Sequence, residues 1–386
     1  ALAIREKALG PDHPLVADGL DGLATLHREQ WRLSKAEPLF KRALAIREKA
    51  LGPDHPSVAA GLSRLAWLYQ AQAKFSEAEP LLKRSLEIRE KALGPDHPSV
   101  ADGLASLARL HQTQEKFAEA EPLYKRTIEI REKALGQDHP SVAYDLTGLA
   151  GLYRAQKRHA EAEKPFKRAL AIREKILGPD HPSVADALHD LAWLYREQAK
   201  FAEAEPLLKR SLEIREKALG PGHPSVAAGL NSLARLYQEQ AQFAEVEPLL
   251  KRSLAIWEKA LGPNHPSVAI GLNSLAMLHR AQGKWLKIEP LLKRALAIRE
   301  KALGPDHPLV ADALYDLARF YAQEKFGKAE PLYKRALAIR EKILGPDHPS
   351  VAWILENLAV ICHNTGRLKD EEGYKSRAAA IRAKIP

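Results

Sequence analysis

The chain has 386 residues, 59 Lys and Arg against 49 Asp and Glu, a formal net charge of +10 and a single cysteine. One cysteine excludes a disulfide framework or a cysteine metal knuckle and fits a reducing, cytoplasmic setting. No apolar run approaches a membrane span, no signal peptide is visible, and the charge is spread too evenly for a nucleic-acid-binding stripe, with only 136–177 (+3) and 262–303 (+5) standing out.

Residues 1–9 read as the tail of a second helix. The phrase Leu-Gly-Pro-Asp-His-Pro, or a close variant, then recurs with its glycine at 10, 52, 94, 136, 178, 220, 262, 304 and 345. The interval is 42 residues, and 41 at the last step. A period of this length makes the chain a repeat protein, one solenoid over 1–386 whose core grows in one dimension.

Within the unit Gly52–Leu93, Pro56 opens a first helix, capped by Asp54 or His55. Val58, Leu62, Leu65 and Tyr69 share one face, and Ala66 is small where a neighbour must come close. A turn at Ala73-Lys74-Phe75 leads to a second helix from about Ser76, with Pro80 in its first turn and Leu81, Ser85, Ile88 and Ala92 on one face. Gly94 and Pro95 stop it. Each helix is expected to span about 16 residues, or roughly 24 Å. The copy at 304–344 lacks one residue near Tyr321–Phe326, which should shorten its turn. Asn364-Thr365-Gly366 and the polar run 369–372 mark a capping last repeat. The chain begins with Ala inside a repeat and its only Met is Met277, so a longer parent protein is expected. The uncapped first repeat would either follow further repeats or stack on another molecule end to end.

Leu65-Ala66, Tyr69, Phe75, Ala78 and Ser85 sit at tetratricopeptide signature spacings, and the long second helix 77–94 resembles the kinesin light chain repeat and its bacterial relatives. That resemblance implies an all-α, right-handed superhelical solenoid of nine helix pairs plus the partial N-terminal helix. It also implies a concave groove, lined by the first helices, that receives an extended protein or peptide segment.

The nine copies differ on one face of the first helix. Two residues before the Leu-Ala pair stand Asp21, Ser63, Ala105, Thr147, His189, Asn231, Asn273, Tyr315 and Glu356. Two residues after that Leu the series includes Trp67, Arg109, Trp193, Arg235, Met277 and Arg319, and three further on Arg28, Arg154, Arg196 and Arg280. The second helices barely vary, with Lys-Arg in the same place in eight copies. The candidate groove is therefore Trp67, Arg109, Arg154, His189, Trp193, Arg196, Asn231, Arg235, Asn273, Arg280, Tyr315 and Arg319, with Trp353, Asp186, Asp190 and Asp316 nearby. Asn offers a donor and an acceptor to an extended backbone, and Arg and Trp are common interface anchors. Asn231-Ser232-Leu233-Ala234, Asn273-Ser274-Leu275-Ala276 and Glu356-Asn357-Leu358-Ala359 partly match the asparagine phrase of the kinesin light chain family.

Catalysis is not expected. No nucleophile, phosphate-loop or metal motif is present, Gly283-Lys284 is followed by Trp285 rather than Ser or Thr, and no cofactor or metal is implied. Nine of the 15 histidines belong to the loop phrase. Their neighbours stand roughly 10 Å apart, too far to share one ion held at about 2 Å. Cys362 takes the Tyr69 position and reads as a core thiol. A protein- or peptide-binding scaffold is the leading expectation. A sensor or oligomerisation arm of a larger regulatory protein, such as a signalling ATPase, is the alternative.

Overall fold

The computed structural model describes residues 2–29, 32–323 and 325–384, and Glu324 of the copy that lacks one residue lies outside them. Among the described residues the chain is all-helical, with nineteen α-helices, one 3₁₀ turn and no strand. It forms two compact units, 1–214 and 215–386, and the division falls inside the helix Phe201–Leu219. The first unit holds Leu2–Leu9 and the pairs Pro14–Glu29 with Leu33–Leu51, Pro56–Ala71 with Phe75–Leu93, Pro98–Thr113 with Phe117–Leu135, and Pro140–Ala155 with His159–Leu177, followed by Pro182–Glu197. The second holds Pro224–Glu239 with Phe243–Leu261, Pro266–Ala281 with Ile288–Leu303, Pro308–Tyr321 with Phe326–Leu344, and Pro349–Asn364 with Leu368–Arg382. Within each unit a second helix packs on its own first helix and on the next one.

Nine histidines, not the neighbouring aspartates, cap the first helices. Nδ1 of His55 accepts the Ser57 backbone N–H at 3.1 Å, and His97, His181 and His223 repeat this at 3.1–3.2 Å. An Nδ1 acceptor requires the ring nitrogen to be unprotonated, and burial pushes the His265 imidazole down, towards that neutral form. The aspartates do other work: Asp54 binds Lys91 at 2.7 Å and Asp96 binds Lys133 at 2.9 Å, tying each loop to the second helix that follows.

Two expectations need correction. The second helix begins at Phe75 and runs 19 residues, so Pro80 is its sixth residue and lies beyond the first turn. The missing proline N–H deprives the carbonyl of Ser76, and both residues are exposed, where water satisfies the freed carbonyl. The copy that lacks one residue shortens its first helix rather than its turn: Pro308–Tyr321 has 14 residues where its counterparts have 16, and four residues, 322–325, precede Phe326 where three, 72–74, precede Phe75.

The first-helix core follows the predicted face, with Val58, Leu62 and Ala66 buried, as is the Cys362 thiol, whose pKa burial raises. On the second helix Ser85 and Ile88 are buried as expected, but Ala78 and Leu82 complete that face, while Leu81 is half-buried and Ala92 is exposed near the helix end. Gly94, at φ 84° and ψ 157°, stands in a region open to glycine almost alone, and eight equivalent glycines share its φ. The hairpin turn is less well matched to its residues. Ala73, Ala199 and Ala241 adopt φ of 56–59°, where Gly283 and Gly366 occupy the same place in other copies. Replacing these three alanines by glycine should raise the urea midpoint, with a net gain of about 0.5–1 kcal/mol per site because relief of left-handed strain exceeds glycine's entropy cost. A lowered midpoint would show the strain to be absent.

Candidate functional site

The second helices owe their uniformity to ion pairs between neighbours. Arg84 reaches Glu48 at 2.7 Å, Arg126 reaches Glu90 at 2.9 Å, and Arg168 reaches Glu132 at 2.6 Å within the first unit. Arg252 with Glu216 and Arg294 with Glu258 continue the pattern in the second at 2.6 and 2.7 Å. Each lysine before these arginines salt-bridges a glutamate one turn back, as Lys41 does Glu37. The outer face is thus held constant by structure.

A second arginine of the same helix is buried against two first helices. Arg47 binds Asp18 at 2.8 Å and Asp21 at 2.7 Å. Arg89 donates to Ser63 Oγ and to the Ser99 carbonyl, both at 3.2 Å. Arg173 donates to Thr147 Oγ1 at 3.1 Å and to the Ser183 carbonyl at 3.4 Å. Only Trp257 replaces this arginine in the full repeats, and its Nε1 donates to the Pro224 carbonyl at 3.2 Å. Asp21, Ser63 and Thr147 belong to the first variable column, so part of that column's diversity serves this clamp.

The other two columns carry the more open chemistry. In the first unit the aromatic rings are dressed by arginines. Arg28 lies 4.6 Å from the Trp67 ring centre, and Trp67 is 43% exposed. Arg154 and Arg196 lie 5.6 and 3.8 Å from that of Trp193, whose Nε1 donates to His189 at 3.2 Å. Arg109 donates to the Tyr144 hydroxyl at 3.0 Å. These contacts, each worth about 0.5–2 kcal/mol, hold the side chains in place rather than leaving them loose.

In the second unit Asn273 donates to Asp316 at 3.1 Å, while its own Oδ1 and that of Asn231 are buried without a hydrogen-bond partner in the protein. Burial, then the charge of Arg319, pushes the Arg280 pKa down, and burial pushes that of Asp316 up. A cavity of about 40 Å³ opens beside Asn273, Met277, Arg280 and Phe320. Arg235 and Arg319 are exposed. Tyr315 packs edge-on against the buried Tyr333 at 5.5 Å, and Asn357 joins their hydroxyls at 3.3 and 3.2 Å. The candidates thus fall into two groups, arginine–aromatic in one unit and asparagine–arginine in the other.

Tyr144, Arg64 and Asp145 escaped the column comparison because they lie outside the three columns. Asp145 stands where other copies have mostly Gly or Ala, so the same comparison one column over would have found it. It is almost wholly buried, and its carboxylate lies 2.9 Å from Arg131, which also binds Asp102 at 2.6 Å.

Tetratricopeptide repeat models match residues 1–49, 22–91, 141–217, 198–259, 225–301, 267–342 and 320–384, and a nephrocystin-3 TPR domain model matches 80–177. The chain belongs to the tetratricopeptide repeat family. No curated protein sequence matches it. It is similar to the crystal structure of a putative kinesin light chain with nearly identical TPR-like repeats from Podosopora anserina, at 34% identity over 53% of this chain and 97% of that one, with a TM-score of 0.45. BtubC (BKLC) from P. vanneervenii is 23% identical over 61% of this chain and 92% of its own, with a TM-score of 0.47. Aspartyl phosphate phosphatase F from Bacillus subtilis shares the fold, at 13% identity over 96% of this chain and 94% of its own, with a TM-score of 0.54. No helix among the described residues is long and apolar enough to cross a membrane.

Burial pushes the Asp145 carboxyl up to about 7, against the pull of Arg131. A carboxyl raised on folding contributes stability below its unfolded pKa, near 4, and loses it as pH rises through about 7. Asp145→Gly, the residue of five other copies, should therefore gain stability relative to the wild type between pH 5 and pH 7.5 in urea unfolding. A pH-independent difference would contradict the buried, raised carboxyl.

Proposed function

We propose that the chain is a non-catalytic scaffold that binds an extended protein or peptide segment along a groove formed by its first helices. The observation that carries this reading is the contrast within one chain. The second helices repeat nearly unchanged and are committed to ion pairs between neighbours, while the first helices present a different set of arginines, asparagines and aromatic rings in each copy. A shared scaffold with locally distinct chemistry suits a ligand read position by position.

Two features support the asparagine–arginine segment as the main contact. A buried carbonyl oxygen without a partner costs about 1–3 kcal/mol; among the described residues five side-chain amides carry one, Gln72, Gln114 and Gln282 at the hairpin turns and Asn231 and Asn273 on the variable face of the first helix. Proteins retain such costs mainly at functional sites. Beside them Arg235, 3.6 Å from Glu239, and Arg319 are exposed, and burial holds down the pKa of Arg280, which an acidic group on a ligand would raise again.

The test is binding of natural partner segments by the full chain and by Arg235→Glu/Arg280→Glu. The account expects a loss of affinity of about 100-fold, near 2.7 kcal/mol, with an unchanged circular dichroism melt. Unaltered affinity would remove these residues from the binding surface.

A further inference from the structure

Two departures from the repeat meet at one hairpin edge of the second unit. In repeat seven the second helix opens with Trp285-Leu286-Lys287, where other copies read Phe117-Ala118-Glu119, Phe201-Ala202-Glu203 and Phe243-Ala244-Glu245. These three residues form a 3₁₀ turn, and the next, Ile288, fills a position that is Ala78, Ala120 or Ala162 elsewhere. Repeat eight is one residue short, and its first helix ends early, at Tyr321. Between them lies a cavity of about 460 Å³ lined by Trp285, Leu286, Phe320, Tyr321 and Lys325. Leu286 is 96% exposed and Trp285 44% exposed, where the other copies place Ser, Ala, Gly or Lys and Phe, His or Leu respectively.

The charge at this edge is reversed as well. The third residue of the second helix is glutamate in five copies, at 77, 119, 161, 203 and 245, and Asp370 in the last; lysine stands there as Lys35 in repeat one and as Lys287 and Lys328 in repeats seven and eight, the one place where two such lysines are in consecutive copies. Glutamate in the first turn suits the positive end of a helix dipole and lysine opposes it, by about 0.3–1 kcal/mol each. Both lysines are exposed, and Lys284 and Lys325 are exposed beside them. Glu289, the acid lining the cavity, is already bound by Lys293 at 2.7 Å and by the Tyr321 hydroxyl at 2.7 Å, and those bonds, Lys293 first, hold its carboxyl down at about 2. Two sites that each oppose local helix stability, around an uncovered cavity whose apolar wall is Trp285, Leu286 and Phe320 and whose polar wall includes Gln323 and Lys325, form a surface complementary to an acidic ligand.

We propose that this edge is a second docking site, separate from the first-helix groove, for an acidic peptide segment that inserts one large apolar side chain between Trp285 and Phe320. Apolar contact supplies the anchor and the lysine rim selects the sign of the flanking residues. The site is short and one-sided, so it takes a few residues rather than a long strand.

The probe is an array of short peptides carrying one leucine or phenylalanine flanked by glutamates, with matched peptides flanked by lysines or serines. The wild-type chain should bind the glutamate-flanked set at least about tenfold tighter than the lysine-flanked set. Trp285→Phe/Leu286→Ala/Lys287→Glu restores the residues of three other repeats and so keeps a turn that already folds in this chain. It should lose that binding about tenfold or more, while Arg235→Glu/Arg280→Glu keeps it. Absence of glutamate-flanked binding, or equal binding by the restored variant, overturns the site. Loss only in the groove variant also overturns it and moves the acidic ligand to the groove.

Discussion

Everything in this chain depends on a second helix being held between two first helices. An arginine guanidinium buried in that contact bonds to both neighbours: Arg89 to Ser63 and the Ser99 carbonyl, Arg173 to Thr147 and the Ser183 carbonyl, Arg131 to Asp102 and Asp145. A buried guanidinium is tolerated only when its donors are satisfied, and here the satisfaction comes from adjacent repeats. The clamp therefore fixes how each hairpin meets the next. Burial pushes the Arg89, Arg173 and Arg299 pKa values down, a measure of how far the clamp is withdrawn from water.

Given that constraint, the distribution of variation follows. The second helix carries both the clamp arginine and the arginine of the outer ion ladder, so few of its positions are free to change. The first helix contributes its apolar face and a few polar partners to the core, and leaves two columns for other uses. Where a copy does change the second helix, the local structure changes with it. Trp257 replaces the clamp and finds a single carbonyl, and the Trp285–Lys287 turn tightens into a 3₁₀ form ahead of Ile288.

The repeat period, the helix starts at Pro56 and its counterparts, the buried Val58, Leu62 and Ala66 and the core thiol of Cys362 were all legible, because each rests on local periodicity or on glycine and proline stereochemistry. The capping atom was not: Asp54 and His55 are both capable caps, and the choice turns on Lys91, 37 residues away, engaging the aspartate. The second helix was read too short because Pro80 looked like a first-turn residue, whereas an exposed Ser76 carbonyl lets the helix start earlier. In the candidate site, the columns were readable but not their partners. Arg28 on Trp67, Asn273 on Asp316 and Asp21 on Arg47 join residues 26–43 positions apart, and sequence comparison sees only the column.

The central claim is a division of labour, with stacking carried by the buried arginines and recognition left to the exposed first-helix columns. Two multiple variants compared in urea unfolding test it most directly: Arg47→Gln/Arg131→Gln/Arg173→Gln and Arg235→Ala/Met277→Ala/Arg319→Ala. The account predicts a loss of about 3 kcal/mol per site for the buried set and within about 0.5 kcal/mol per site for the exposed set. Equal losses in the two sets would contradict it.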